Sequence, residues 1–223
     1  NSIDRNIFIT KLLNSLNAHL EIRGSDSIPS KGPVIVAVNH NNVEVAIHSM
    51  RYRTNVFNIL SALLSHVDVN PYIIATNKLK FLSVLFTNIN ITYLDNTKFN
   101  SYSSNYKVLL DLIEILRKDR VIILFPEGKQ NRGQLRQGKE GVAYLAKNAE
   151  SNILPVAIYK EKKANKKGRM RSKLVLEFGS IIESETFGDD MKELSRLTDT
   201  IMMAIAKMMP KGTRGVYEHR FEE

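Results

Sequence analysis

The sequence has no cysteine, no tryptophan and no long hydrophobic segment among its 223 residues. Without cysteine, disulfide bonds, thiolate zinc sites and cysteine nucleophiles are excluded, and redox chemistry says nothing about the compartment. The two longest uncharged runs, residues 54–67 and 81–94, contain Asn, Ser and Thr and reach only 14 residues each. A membrane-spanning helix needs about 20 mostly apolar residues, so we expect neither run to cross a bilayer. The first residues also lack the basic and apolar parts of a signal peptide.

The charge balance is basic and unevenly distributed. There are 32 basic and 23 acidic residues, a formal charge of +9, which favours anionic partners such as phospholipid headgroups, nucleic acid or phosphorylated substrates. Residues 160–173 alone hold eight basic residues and one acidic residue, a local charge of +7. This segment is interpreted either as a solvated hairpin loop or as a docking site for anionic lipid or an acidic carrier. We expect no nucleic-acid partner, because a recognition helix and an aromatic stacking platform are both missing.

Short continuous apolar runs alternate with stretches of helical spacing along the chain. Such runs are typical of buried strands, and apolar residues three or four apart are typical of helices. The predicted strands cover residues 34–38, 72–75, 90–94, 121–125, 153–159 and 174–178, and the predicted helices cover residues 43–66, 81–87, 104–118, 138–149 and 191–208. This alternation predicts an α/β single domain with a mixed, mostly parallel central sheet flanked by helices. Its functional groups should lie beyond the C-terminal ends of strands.

The first residues form a separate unit in this prediction. Ile9, Leu12, Leu13, Leu16 and Leu20 recur at helical spacing, so residues 1–18 are predicted to form an N-terminal amphipathic helix. Its apolar stripe packs either on the core or on a membrane surface, and both alternatives remain open. The remaining residues, 19–223, form the predicted catalytic or binding domain.

Two predicted strand ends carry reactive groups. One strand ends at Asn39 and His40, followed by Glu44, and another ends in the sequence Phe-Pro-Glu-Gly at residues 125–128. A histidine at a sheet edge suits a general base, because its ordinary pKa of about 6.5 lets it accept a proton near neutrality. The alternative is a histidine bonded to the core or surface. Asn39 is expected to cap a following helix.

Four motifs in order resemble the glycerolipid acyltransferase family of the lysophosphatidic acid acyltransferase type. They are a histidine followed by an acidic residue (His40 and Glu44), Asn-Ile-Thr-Tyr-Leu-Asp-Asn at residues 90–96, Phe-Pro-Glu-Gly at residues 125–128, and a strand with an internal proline at residues 153–158. The resemblance extends from about Leu20 to Tyr217, which is most of the chain. Phe-Pro-Glu-Gly is intact, whereas any one of these motifs alone would be a weak signal.

The resemblance implies an acyltransferase-like fold and the transfer of a fatty acyl group from an acyl thioester to a hydroxyl of a lysophospholipid. His40 would remove the hydroxyl proton, and Glu44 would orient His40. The implied substrate-binding residues are Asn96, Lys98, Glu127, Gly128, Lys129 and Arg132. The donor would be acyl-coenzyme A or acyl carrier protein as co-substrate, with no other cofactor. Independently of the resemblance, we expect no metal, since the sequence has no cluster of His and carboxylate residues with ligand spacing. The resemblance also implies phospholipid synthesis or remodelling at the cytoplasmic face of a membrane, with peripheral attachment to an anionic surface.

The chain departs from the family pattern at the acidic residue of the first motif. The family has its carboxylate five residues after the histidine, where this chain has Val45, and Glu44 stands one residue earlier. Three alternatives follow: Glu44 orients His40, another group or none does so, or Glu44 is a surface carboxylate. In the last case the chain is a catalytically impaired homologue that binds anionic lipid or acyl carrier without turnover. Asn96 and Lys129 also stand where the family commonly has arginine or threonine.

Overall fold

The computed structural model describes most of the C-terminal half of the chain and selected strands of the N-terminal half. The described residues are 20–40, 44–47, 50–53, 72–76, 90–94, 102–128, 133–164 and 170–222. The predicted helices at residues 1–18 and 81–87 lie outside these ranges. Within them, no helix is long and apolar enough to cross a bilayer.

A seven-stranded sheet organises the described residues. Its strands, in spatial order, are β1 (Leu20–Arg23), β9 (Met170–Phe178), β8 (Asn152–Ala164), β2 (Val34–Val38), β7 (Val121–Leu124), β5 (Tyr72–Thr76) and β6 (Asn90–Leu94). All neighbouring pairs are parallel except β8 and β9, which are antiparallel. The predicted mixed, mostly parallel α/β sheet is therefore confirmed.

The central strand β2 is apolar along its whole length because both of its faces are covered. All five residues from Val34 to Val38 are buried, as expected for a strand between parallel neighbours. Ile35 and Ala37 belong to a core shared with three helices, which are α1 (Tyr102–Leu116), α2 (Gly141–Ala149) and α3 (Met191–Met208). The Asp190 side chain caps α3 by accepting the Glu193 N–H at 2.8 Å, so this helix begins at Met191, as predicted.

The prediction of one or two helices over residues 43–66 is wrong where the structure describes this segment. Strands β3 (Glu44–Ile47) and β4 (Met50–Arg53) pair antiparallel there as a separate two-stranded sheet. Val45, Ile47 and Tyr52 are residue types that favour strands, and the first two recur at the two-residue period of a strand. Residues 54–66 lie outside the described ranges.

The predicted loop at residues 160–173 is largely strand. Cross-strand pairing of β8 with β9 continues from Val156↔Phe178 to Ala164↔Met170, and residues 165–169 are outside the described ranges. The prediction of a hairpin is right, whereas the prediction that its charges belong to a loop is wrong. Exposed lysines are compatible with a strand because each can point away from the core.

The C-terminal segment closes against the chain that follows the Phe-Pro-Glu-Gly motif. A short 3₁₀ helix spans Gly215–Phe221, and the Val216 N–H donates to the Leu135 carbonyl oxygen at 3.2 Å. Gly215 has φ +55°, and a Cβ there would lie 1.9 Å from that same oxygen. Only glycine fits this close approach of two backbones.

We expect Gly215→Ala to destabilise the protein much more than Gly212→Ala. Both glycines have positive φ, but a Cβ at Gly212 meets no atom within 4 Å. The Gly212 substitution should cost about 1–2 kcal/mol from backbone strain alone. The Gly215 substitution adds a collision with backbone and should cost more than about 3 kcal/mol. Urea unfolding of both variants tests this difference, and equal losses would contradict the contact with Leu135.

Candidate active site

His40 lies two residues beyond the end of β2, against an aromatic ring. Its imidazole stacks on Phe125 with ring centroids 4.3 Å apart and an interplanar angle of 24°. The Nδ1 atom is buried and has no hydrogen-bond partner among the described residues. Burial lowers the pKa of His40 below its ordinary value of 6.5, because it penalises the charged imidazolium. The ring therefore favours the neutral form that can accept a proton.

Glu127 lies beside His40 because β2 and β7 are parallel neighbours. A turn follows β7, in which the Gly128 N–H donates to the Phe125 carbonyl oxygen at 3.0 Å and Pro126 takes the second position that suits its fixed φ. This turn directs Glu127 inward, where it is only 4% exposed. Its Oε1 accepts the His40 backbone N–H at 2.7 Å, and its Oε2 accepts the Arg136 backbone N–H at 2.8 Å. One carboxylate thus joins three segments of the chain.

The electrostatics of Glu127 reflect two opposing effects. Burial raises the pKa of Glu127 above its ordinary value, while the backbone N–H groups of Arg136 and His40 lower it. The direction of the net shift is upward. Glu127 thus holds two backbone N–H groups, and no salt bridge from its carboxylate to an arginine is seen among the described residues.

Asn39 extends the pairing of β2 with β8 through its side chain. The Oδ1 atom accepts the Ile158 N–H at 2.6 Å, and Nδ2 donates to the Ile158 carbonyl oxygen at 3.0 Å. Nδ2 also lies 3.8 Å from the Met209 sulfur. The expected helix cap is therefore wrong, because the 1%-exposed carboxamide is fully engaged with a neighbouring strand. Its role is to hold the backbone immediately before His40.

Gly128 occupies the outer side of the same turn. Its φ is +66°, and a Cβ there would lie 3.1 Å from the Lys139 side chain. The Lys139 N–H donates to the Pro126 carbonyl oxygen at 2.9 Å, so the segment before α2 is tied to this turn. A side chain at Gly128 would meet both backbone strain and this lysine.

The structure brings part of the predicted site together. A small cleft is lined by Asn39, His40, Glu127, Gly133, Gln134 and Met209. Glu44 begins β3, but its side chain is not described, and Asn96, Lys98, Lys129 and Arg132 lie outside the described ranges. Within those ranges, no group of three or more His, Asp or Glu residues could hold a metal ion.

Three contributors to the site were missed by sequence reasoning. Phe125 was recognised only as the first residue of the Phe-Pro-Glu-Gly motif at the end of a strand, and its stacking on His40 was not predicted. Met209 and Gln134 carry no local signal. Met209 is separated from Asn39 by 170 residues, so only the packing of α3 beside β8 brings it to the cleft.

Comparison with known proteins identifies a family. The family model described as Acyltransferase matches residues 19–159, which is more than half of the chain. The 1-acyl-sn-glycerol-3-phosphate acyltransferase of Borreliella burgdorferi is 28% identical over 141 residues, which cover 62% of this chain and 50% of the relative. The chain thus spans about half the length of this curated relative.

A solved structure has a similar fold. The crystal structure of the 1-acyl-sn-glycerophosphate acyltransferase PlsC from Thermotoga maritima aligns with a TM-score of 0.56 and 19% identity. The alignment covers 88% of this chain and 77% of that chain. At this identity the likeness concerns the fold alone.

Replacing Asn39 by Asp should destabilise the protein by roughly 2–4 kcal/mol, because a buried acceptor then faces the Ile158 carbonyl oxygen in place of a donor. The matched control is Asn148→Asp, where an exposed asparagine donates to the Tyr144 carbonyl oxygen near the end of α2. This control should cost less than about 1 kcal/mol. Urea unfolding at neutral pH measures both. Similar losses in the two variants would refute the buried pairing.

The stability of the protein should depend on pH through His40. Since burial lowers the folded-state pKa of His40 below 6.5, the unfolded state binds its proton first. The stabilising contribution of neutral His40 is therefore complete above pH 6.5 and is lost as the pH falls through the lower folded-state pKa. We expect the unfolding free energy of the unaltered protein to fall more steeply over this window than that of His40→Gln. Parallel profiles in the two proteins would contradict the shift.

Proposed function

This chain belongs to the acyltransferase family, and from that premise we propose that it is an O-acyltransferase acting on a lysophospholipid or related lysolipid. The acyl donor is an acyl thioester, carried by coenzyme A or acyl carrier protein, and no other cofactor takes part. The observation that carries the proposal is the position of His40 beside Glu127 at the ends of two parallel strands. A partly buried imidazole that lines a cleft, and whose burial favours the neutral form, suits deprotonation of a hydroxyl.

The proposed reaction needs no covalent acyl-enzyme. Nε2 of His40 takes the proton from the acceptor hydroxyl as its oxygen attacks the thioester carbonyl carbon. The carbon–sulfur bond then breaks, and the imidazolium returns the proton to the leaving sulfur. The products are an ester and a free thiol, so protons and electrons balance. Burial of His40 supports the first step because it favours the neutral ring, which can accept the proton.

Glu44 is the proposed orienting group for His40. Buried polar atoms are nearly always paired, and Nδ1 of His40 has no partner among the described residues. A carboxylate on Nδ1 would hold the tautomer in which Nε2 is free to accept a proton, and would stabilise the imidazolium. Glu44 stands four residues after His40 at the start of β3, one residue earlier than the carboxylate of the family pattern. In this proposal its side chain reaches Nδ1 from that position.

The acceptor is proposed to bind on the Glu127 side of His40. Glu127 lines the cleft, Gly128 allows close approach to the turn, and Lys129 and Arg132 follow in sequence. Asn96 and Lys98 follow β6 and complete the proposed substrate-binding set. A lysine attracts a phosphate as a point charge and lacks the planar fork of arginine, so a lysolipid with a headgroup other than that of lysophosphatidic acid is compatible with these residues.

The acceptor and product are membrane lipids, so the proposed enzyme works as a peripheral protein at the cytoplasmic face of a membrane. The net charge of +9 supports attraction to anionic lipid at that face. In this setting the role of the protein is phospholipid synthesis or remodelling.

Replacing His40 by Ala should abolish acyl transfer. Loss of a general base lowers the rate by about 10²–10⁴-fold, because no other group in the cleft takes the proton. The matched control is His219→Ala, since His219 is exposed and does not line the cleft. The assay follows transfer from acyl-coenzyme A and from acyl carrier protein to a panel of lysophospholipids.

Two results would count against the proposal. Equal turnover of His40→Ala and His219→Ala would exclude His40 as the base. If the unaltered protein binds lipid or acyl carrier protein but gives no product with any pair of substrates, the chain is a binding homologue without turnover. This second candidate function is considered because Val45 stands where the family pattern has its carboxylate.

A further inference from the structure

The strands β8 and β9 form an antiparallel ribbon that continues beyond their neighbours. We call residues 160–164 and 170–173, which the structure describes as paired strands, the basic ribbon. Strand β2 pairs with β8 only as far as Val38↔Val156, and β1 pairs with β9 only from Leu20↔Leu174 onward. Past those points, Lys160 to Ala164 pair only with Met170 to Leu174. The basic ribbon is therefore an ordered two-stranded extension of the sheet.

The direction of the basic ribbon is set by the parallel strands. Strand β8 runs parallel to β2, whose C-terminal end leads directly to His40, and Asn39 reaches across to Ile158. The six residues from Tyr159 to Ala164 continue in this direction. At about 3.3 Å per residue they extend roughly 20 Å. The basic ribbon thus projects from the C-terminal end of the parallel strands, which is also where His40 and Glu127 lie.

The basic ribbon keeps an unbalanced positive charge. Lys160 and Lys162 are exposed and make no ion pair with the described residues. On the opposite face, Lys173 bonds to Glu21 at 3.0 Å, and Glu161 bonds to Arg23 at 3.0 Å. The only acidic residue of the ribbon is thus already engaged by an arginine from β1. In sequence, the whole segment 160–173 carries +7 of the +9 of the chain.

We propose that the basic ribbon docks the protein on an anionic lipid bilayer and turns the His40 cleft toward that surface. This inference rests on the proposed function in one respect: an acceptor lysolipid would be taken from the same bilayer. Among the described side chains of the ribbon, the exposed ones are lysines, and none of the large exposed apolar residues lies there. A folded protein partner normally requires an apolar centre in its interface. Diffuse charge is sufficient for attraction to anionic headgroups.

The test compares two doubly substituted proteins of equal net charge. Lys160→Gln/Lys162→Gln neutralises the described exposed lysines of the ribbon. The matched control, Lys31→Gln/Lys192→Gln, removes two exposed lysines near the start of β2 and the start of α3. Both lysines lie at the opposite end of the domain from His40. Strand β2 and helix α3 each begin near one of these lysines and end near Asn39, which contacts Met209. Circular dichroism verifies that both variants are folded.

Binding is measured by co-sedimentation with vesicles of phosphatidylcholine alone and with roughly one third phosphatidylglycerol. We expect the ribbon variant to bind the anionic vesicles about 30-fold more weakly than the unaltered protein, and the control to change far less. Binding of the unaltered protein should fall as salt rises, because screening weakens the attraction. Equal losses in the two variants, or binding that is indifferent to phosphatidylglycerol and salt, would overturn the proposal.

A second measurement separates this proposal from its alternatives. If the ribbon variant retains vesicle binding but loses affinity for acyl carrier protein, the ribbon docks a protein and the proposal fails. Turnover with an acceptor dispersed below its micelle concentration should be unchanged in the ribbon variant, whereas turnover on anionic vesicles should fall. Vesicle binding is measured without any reaction, so the docking role is decided even if the chain proves to have no transferase activity.

Discussion

Parallel pairing of β2 with β7 on one side and with β8 on the other is the constraint on which the site depends. It aligns the C-terminal ends of three strands. As a result the His40 backbone N–H donates to Oε1 of Glu127 at 2.7 Å, although the two residues are 87 positions apart. Burial on both faces of β2 fixes the pairing, because a slipped strand would lose its matched neighbours. The same pairing directs the basic ribbon past this edge.

The polar groups at this edge are held in an environment that disfavours charge. Asn39 and Glu127 are 1% and 4% exposed, and their hydrogen bonds to backbone compensate for lost hydration. Burial also shifts both titrating groups toward their neutral forms, lowering the pKa of His40 and raising that of Glu127. A neutral imidazole is the form a general base requires. Loss of hydration therefore sets the protonation state of both groups, and the hydrogen bonds to backbone offset its cost to stability.

Much of the sheet and of the last helix could be predicted because the signals are local. The apolar run at β2 and the helical spacing of α3 each identify an element within a few residues, and α3 spans Met191–Met208 as predicted. The prediction of a helix over residues 43–66 was wrong at β3 and β4, because a short stretch with Val, Ile and Tyr fits either period and pairing between the strands decides the outcome. The strands of the basic ribbon were predicted as a loop because they are rich in charged residues. Pairing between β8 and β9 nevertheless makes them strands, and it leaves lysines exposed.

By itself, the sequence determined the types of reactive group and their positions at strand ends. These features depend only on residue identity and on the spacing of apolar residues close together in the chain. Through the family resemblance the sequence predicted His40 and Glu44 as the catalytic pair and Glu127 as a substrate-binding residue, and the structure places His40 and Glu127 in one cleft. Only the tertiary structure decided that Asn39 pairs with Ile158, that Met209 reaches the cleft, and that Glu127 holds the backbone of His40. These contacts join residues 87 to 170 positions apart, and local periodicity carries no information about which distant segments meet.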